Sequence, residues 1–214
     1  MTTPDLTGIR IIHRAMRGDL HLLVALTEAI AAGRTDVSPA RARALADFVG
    51  QIRHAIHQHH TREDEIVWPL LERSAGAAVD LTDLSDDHSV LDPLLAEMES
   101  AGRAFVANRN AIGALAASVR KLSELLDEHI EEEERRIFPV IQKYVTTADW
   151  EHSENEIRKG GSIKFDLGWV AHYATPAELA HLRAKAGPII TLMIAMIRPG
   201  HRRRHRLIFG STTA

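Results

Sequence analysis

The chain has 214 residues, of which 45% are hydrophobic and 26% are charged, and its formal net charge is −3. It contains no cysteine, which excludes disulfides, thiol catalysis and thiolate–metal sites, so any metal would need histidine and carboxylate ligands. Aromatic residues make up only 5%, which favours a helical core of Leu, Ile and Ala over a β-sandwich.

Four long segments have apolar residues spaced three or four apart, which is the period of an amphipathic helix. The first stops at Gly33, and the second begins with Ser38-Pro39, an N-cap followed by proline at the first helical position. The connections are short enough to make neighbours antiparallel. The pattern therefore predicts an all-α, up-down-up-down four-helix bundle, whose helices cover residues of about 8–32, 38–74, 84–106 and 110–144.

The remaining residues have a different character, so we divide the chain into a bundle of residues 1–149 and a C-terminal helical extension of residues 150–214. Residues 150–164 are polar, with a bend expected at Gly160-Gly161. A capping box at Thr175–Glu178 predicts a short helix that ends before Gly187-Pro188. The extension carries a charge of +5 and the bundle −8. We expect the extension, including the basic residues 201–206, to fold onto the bundle rather than bind nucleic acid.

No pattern typical of export or of a membrane span is present. The N-terminal residues lack the cationic head and apolar core of a secretory signal. The longest apolar run covers residues 189–197, far short of the roughly 20 residues that span a bilayer. We therefore expect a cytoplasmic protein without a membrane partner, either a monomer or a homodimer.

The bundle helices carry two copies of one polar motif. His59-x-x-x-Glu63 and His129-x-x-x-Glu133 each have a proline six residues after the glutamate. Residues four apart lie on one helix face, so each imidazole and carboxylate converge on one point. Burying such charges is costly unless something such as a metal compensates.

His13 and His88 are also predicted to face the bundle interior. Their angles around the helices place them at seam positions where apolar residues are expected. The alternative is to pair His60 with Asp64. That pair would put the proline five residues after the acid instead of six, unlike the second motif, so we prefer His59 with Glu63. His57 and His60 are then expected to be exposed. Four imidazoles and two carboxylates suit two metal ions bridged by both glutamates. The predicted metal ligands are His13, His59, Glu63, His88, His129 and Glu133.

This pattern resembles that of the hemerythrin-like, or HHE cation-binding, family over residues of about 8–145, and of its actinobacterial members in particular. The resemblance implies two iron ions, oxo- or hydroxo-bridged, within a four-helix bundle. Oxygen-carrying hemerythrins have His-x-x-x-His on the third helix, whereas here Asp92 stands four residues after His88. Having one fewer histidine argues against simple oxygen carriage.

The resemblance implies reaction with hydrogen peroxide, nitric oxide or O2, in oxidative or nitrosative stress defence. The activity would be catalase-like or peroxidase-like, and an oxygen- or iron-sensing module without turnover is the alternative. Several further side chains lie near the predicted site without an assigned role. Asp92 is expected at the surface or beside a ligand, and Glu131, Glu132 and Glu134 on a solvated face. Contact with the metal is left open for His21, Asp92 and Tyr144.

Overall fold

The computed structural model describes residues 3–159 and 163–210, and within these ranges every regular element is a helix. The bend expected at Gly160-Gly161 lies outside the described residues. The α-helices are α1 Thr7–Ala31, α2 Pro39–Arg62, α3 Trp68–Ala75, α4 Thr82–Ala107, α5 Ile112–Tyr144, α6 Thr147–Lys159, α7 Ile163–Tyr173 and α8 Pro176–Phe209. Shorter turns are a π-helical turn, Glu63–Val67, and two 3-10 turns, Gly76–Ala78 and Arg109–Ala111.

The four long helices α1, α2, α4 and α5 form the bundle, which confirms the predicted all-α fold. Helix α1 packs on α5, α5 on α4, and α4 on α2. Two apolar clusters fill the interior. The larger contains Met16, Ile56, Leu91 and Leu126, and the smaller contains Val67, Leu84 and Ile137. The polar residues of the HxxxE motifs fall between these two clusters along the helices, so an ionisable layer is closed above and below by hydrocarbon.

The second predicted helix is not continuous. Ser38 Oγ accepts a hydrogen bond from the Arg41 amide, as expected of an N-cap. The helix then widens into the π-helical turn Glu63–Val67, in which the Trp68 amide donates to the Glu63 carbonyl. Pro69 follows directly and cannot donate a backbone hydrogen bond, which weakens the regular α-helical pattern just before it. The irregularity therefore lies just before the proline and begins at the glutamate of the first HxxxE motif.

The C-terminal helices cover the open side of the bundle. Helix α7 packs on α1, α8 packs on α2, and α7 and α8 pack together. Phe165, Trp169 and Ile208 belong to the larger apolar cluster. Asp19, fully buried on α1, accepts hydrogen bonds of 2.6 Å from Trp169 Nε1 and from the Tyr173 hydroxyl.

Helix α8 begins at the predicted capping box and bends at Gly187. Thr175 Oγ1 accepts from the Glu178 amide, and the Glu178 carboxylate accepts from the Thr175 amide. Gly187 has a φ of 74°, a conformation that suits glycine, and it separates the two parts of α8. The basic residues 201–206 lie within α8, where Arg204 bonds to Gln51 Oε1. None of the described helices has the length and hydrophobicity required of a transmembrane span.

Candidate metal centre

Seven side chains meet in the ionisable layer, and they come from all four bundle helices and the π-helical turn. Six of them are at least 93% buried, and the His59 side chain is 14% exposed. Helix α1 supplies one, α2 two, the π-helical turn one, α4 one and α5 two. They are His13, His59, His60, Glu63, His88, His129 and Glu133. All six ligands predicted from the sequence are therefore brought together, along with one histidine that was not predicted.

The seven residues form two groups that share one carboxylate. His60, His88 and His129 make the first group with Glu63, and the second consists of His13, His59, Glu63 and Glu133. Within each group, one ligand atom from every residue lies within 4.8 Å of the others. Glu63 belongs to both, so its two oxygens can reach two ions at once.

The distances within the groups match those between ligands on one ion. His13 Nε2 lies 3.1 Å from His59 Nε2, and His88 Nε2 lies 3.3 Å from His129 Nε2. Two nitrogens bound to one ion by bonds of about 2.1 Å lie roughly 3.0 to 3.4 Å apart, depending on the angle between them. Glu63 Oε1 lies 3.0 Å from His59 Nε2, and Glu63 Oε2 lies 3.6 Å from His88 Nε2. Each carboxylate oxygen thus faces a different group.

The buried carboxylates have no other partner to compensate their burial. Within the described part of the chain, neither oxygen of Glu63 nor Oε2 of Glu133 takes part in a hydrogen bond. Burial raises the pKa of both glutamates well above the usual range. Burial alone thus favours the neutral carboxyl groups, whereas a bound divalent cation would favour the ionised carboxylates. The unpartnered oxygens therefore fit a metal site.

Three of the imidazoles, those of His59, His60 and His129, are held neutral, which is the form that binds metals. Burial lowers the pKa of His59 to about 3 and that of His129 to about 4, and it places the pKa of His60 well below its usual range. A neutral imidazole has a free lone pair, so these rings can act as ligands without first losing a proton.

Carboxylates orient three of the ligand histidines through the other ring nitrogen. His13 Nδ1 donates to Glu134 at 2.9 Å, His88 Nδ1 to Asp64 at 3.0 Å, and His129 Nδ1 to Asp87 at 3.2 Å. A proton fixed on Nδ1 leaves Nε2 unprotonated and facing the site. One of these contacts corrects an expectation, because Glu134 does not merely belong to a solvated face. Asp64, which the rejected alternative paired with His60, instead accepts from His88.

His60 was expected to be exposed, and that prediction was wrong. Its side chain is 5% exposed and its ring stacks on that of His88, with centroids 4.4 Å apart. At about 100° per residue, His60 lies roughly 40° from Ile56, inside the stripe of 100° or more that a packed helix buries. The sequence pattern favoured His59 and set His60 aside, but both side chains face the interior. His59 faces α1, and His60 faces α4.

Three other side chains lie outside the two groups. His21 bonds to Asp127 and is 55% exposed. Asp92 accepts a hydrogen bond from His57 Nδ1 at 2.7 Å, so His57 is half-buried rather than free at the surface. Tyr144 is exposed at the end of α5. None of these carries a ligand atom of either group.

Two pockets reach the layer from opposite sides. The first, of about 130 Å³, is polar and borders His60 and His88. The second, of about 380 Å³, borders His13 and Glu134 and is lined by three arginines of α1: Arg10, Arg14 and Arg17. Each ligand group is therefore approached by its own pocket.

Comparison with known proteins supports the assignment suggested by the motifs. The model of the hemerythrin HHE cation-binding domain matches residues 6–141, which include all seven side chains of the layer. No significant match was found among curated proteins or solved structures. The chain belongs to the hemerythrin HHE cation-binding family, whose domains bind metal.

Proposed function

We propose that the ionisable layer holds two iron ions and that the protein reacts with hydrogen peroxide, nitric oxide or O2 in oxidative or nitrosative stress defence in the cytoplasm. The observation that carries the proposal is the sharing of Glu63 between two groups of buried ligands. A carboxylate whose two oxygens face different groups is suited to bridging a pair of ions.

The donor set suits iron. Imidazole with carboxylate binds iron, manganese and zinc, and a structural zinc site is normally a single ion. Here each of two groups offers four residues, with Glu63 shared, and non-haem iron bound by such ligands can keep open positions for small molecules. Iron ions bound there would supply Lewis acidity and one-electron redox chemistry.

The protein residues position and shield this chemistry. Glu134, Asp64 and Asp87 hold three ligand rings in one tautomer, and this raises the electron density on the nitrogen that faces the ion. The apolar clusters above and below restrict water to the two pockets. A molecule as small as peroxide, nitric oxide or O2 can enter pockets of about 130 and 380 Å³ beside His60 and His13.

A second candidate is reversible oxygen binding or sensing without turnover. His60 brings the number of imidazoles in the layer to five. The third helix still has Asp92 where oxygen-carrying hemerythrins have a histidine, but His60 supplies a fifth imidazole from α2, which weakens the argument against oxygen carriage. Helices α7 and α8 pack on α1 and α2, which carry His13, His59 and His60, and they could report occupancy.

Mixing iron-loaded protein with peroxide tests the proposal. Oxygen evolution and the near-ultraviolet absorption of the iron centre are followed together, with nitric oxide uptake measured on the reduced protein. Turnover that is lost in Glu63→Ala and retained in Glu131→Ala, an exposed glutamate of the second motif, supports an enzyme.

Rapid oxygenation that reverses on removal of O2, with no turnover of peroxide or nitric oxide, would favour the carrier or sensor. Metal analysis of the protein from its own host identifies the ions, and zinc or manganese in place of iron would contradict the proposal.

A further inference from the structure

Three histidines of the C-terminal extension form a second cluster, remote in sequence from the HxxxE motifs. His201 and His205 stand one turn apart on α8, and His172 lies opposite them on α7. The ring centroid of His172 lies 4.7 Å from that of His205 and 5.5 Å from that of His201. The centroids of His201 and His205 lie 6.1 Å apart. We propose that this cluster, hereafter the α7–α8 histidine cluster, binds a divalent transition-metal ion that prefers imidazole, such as Zn²⁺.

The spacing of the rings matches three ligands on one ion. A metal–nitrogen bond of about 2.1 Å places a ring centroid about 3.2 Å from the ion, and tetrahedral angles then separate centroids by about 5.2 Å. The observed separations of 4.7, 5.5 and 6.1 Å bracket this value. In the bundle, ligand rings of one group lie 4.4 to 5.1 Å apart, so the two clusters are of similar size.

One of the two buried rings has a nitrogen without the polar partner that a histidine usually finds. His201 and His205 are 7% and 8% exposed, and His205 Nε2 is buried without a hydrogen-bond partner among the described residues. An unpaired polar atom costs about 1–3 kcal/mol when buried, and a metal ion satisfies it. His172 is exposed and provides a route by which an ion can enter.

The packing of α7 keeps the cluster close together. A Cβ atom added to Gly168 would lie 2.9 Å from His201 Cδ2, so the absence of a side chain at this position lets the ring rest against α7. Among the described residues, only the bundle groups have all their ligand atoms within 4.8 Å. Binding at the α7–α8 histidine cluster therefore requires the imidazole nitrogens to move closer together, which rotation of the rings can begin.

The surrounding charge selects the kind of ion. Burial lowers the pKa of these histidines, and positive charge from Arg198, Arg202 and Arg204 lowers it further, so the imidazoles stay neutral. Ions such as Mg²⁺ and Ca²⁺, which bind carboxylate oxygens, find no acidic ligand in the cluster and are repelled. Ions that bond strongly to imidazole can overcome this repulsion, which favours Zn²⁺ and its neighbours.

Zinc binding to the full-length, iron-loaded protein tests the proposal. Iron is measured before and after equilibration, so that exchange in the bundle is not counted. The wild type should bind about one zinc ion per chain beyond the bundle metals. His172→Gln, which alters an exposed residue, and His201→Gln/His205→Gln should each weaken this binding at least about tenfold while leaving iron content and peroxide turnover unchanged.

The matched control is His54→Gln/His152→Gln, which removes two exposed histidines from other helices and should leave zinc affinity at the wild-type value. Zinc should also raise the thermal midpoint of the wild type by mass action and not that of His201→Gln/His205→Gln. Absence of zinc binding beyond the bundle, or equal affinity in the wild type and both cluster variants, would overturn the proposal. Either result is independent of what the bundle metals do.

Discussion

The rings of His60 and His88 stack across the α2–α4 interface, with 20° between their planes and 4.4 Å between their centroids. Through this contact His60, which is neither the histidine nor the glutamate of the HxxxE motif, joins the group formed by Glu63, His88 and His129. The second HxxxE motif, on α5, has no matching histidine, since Ile130 stands where His60 stands in the first. The two motifs therefore differ in the number of side chains that they contribute to the two groups.

Replacing His60 should weaken metal binding at one group and spare the other. We expect His60→Gln to lower the affinity for the ion beside His88 and His129 at least about tenfold, since the loss of even a residue that supports a ligand costs that much. Iron titration followed by absorption measures the effect. His57→Gln, one turn earlier on α2 and bonded to Asp92, should bind as the wild type does. Equal losses in both variants would count against a ligand role for His60.

Glu134 should matter although it is not among the ligands. In Glu134→Gln the neutral amide is a weaker acceptor for His13 Nδ1, so the tautomer and basicity of that ring are less well fixed. We expect a 10- to 100-fold loss of iron affinity or turnover. The neighbouring Glu131→Gln is exposed and serves as control. A wild-type iron titration for Glu134→Gln would show that the contact does not tune the site.

Asp19 should make the stability of the metal-free protein depend on pH. Burial raises the pKa of Asp19 from 3.8 to about 6. The folded protein therefore favours the protonated Asp19 carboxyl more than the unfolded chain does. The resulting stabilisation is fully present below pH 3.8 and is lost as the pH rises through 6. The shift corresponds to about 3 kcal/mol. Urea unfolding between pH 3.5 and 7.5 should show the wild type losing stability relative to Asp19→Asn by roughly this amount.

The exposed Asp47→Asn provides the comparison for that series, because it removes a carboxylate from the surface of α2. Its stability relative to the wild type should stay constant across the same pH window, whereas that of Asp19→Asn should rise. Parallel pH profiles for the wild type and Asp19→Asn would mean that Asp19 does not carry the effect.

Gly18 should resist substitution because Tyr173 rests against it. A Cβ atom at this position would meet Tyr173 Cε1 at 2.5 Å, so Gly18→Ala must displace the ring that donates to Asp19. We expect a loss of about 1–3 kcal/mol in the free energy of unfolding. Gly50→Ala, also within a helix, has only Glu99 Oε1 at 3.8 Å and should instead stabilise the protein by about 0.5–1 kcal/mol. Denaturant melts of the two variants give the comparison, and equal shifts would contradict it.

Much of the fold and most of the candidate site were predictable because both depend on helical periodicity. Apolar spacing located the bundle helices to within a few residues, and a polar residue in an apolar seam marked each of the six predicted ligands. His60 was missed although its spacing from Ile56 places it within the buried stripe. It lies at the edge of that stripe, and the comparison of the two motifs favoured a single histidine of the pair, whereas the position of α4 lets both face the interior.

The partners of the ligand histidines were missed for a related reason. Asp64, Asp87 and Glu134 lie on the flanks of their helices, where an acidic residue is ordinarily solvated. Their pairing with His88, His129 and His13 connects different helices, and the relative rotation of those helices decides it. The π-helical turn Glu63–Val67 was likewise not expected, because a regular helix was assumed up to Pro69.

Helix α1 carries both a side chain of the candidate metal centre and a side chain that contacts the C-terminal extension. It runs unbroken from Thr7 to Ala31, and it carries His13 in the ionisable layer and Asp19 under α7. Six residues of α-helix separate the two along an axis of about 9 Å. The docking of α7 on Asp19 and the position of the His13 imidazole therefore depend on the same continuous helix.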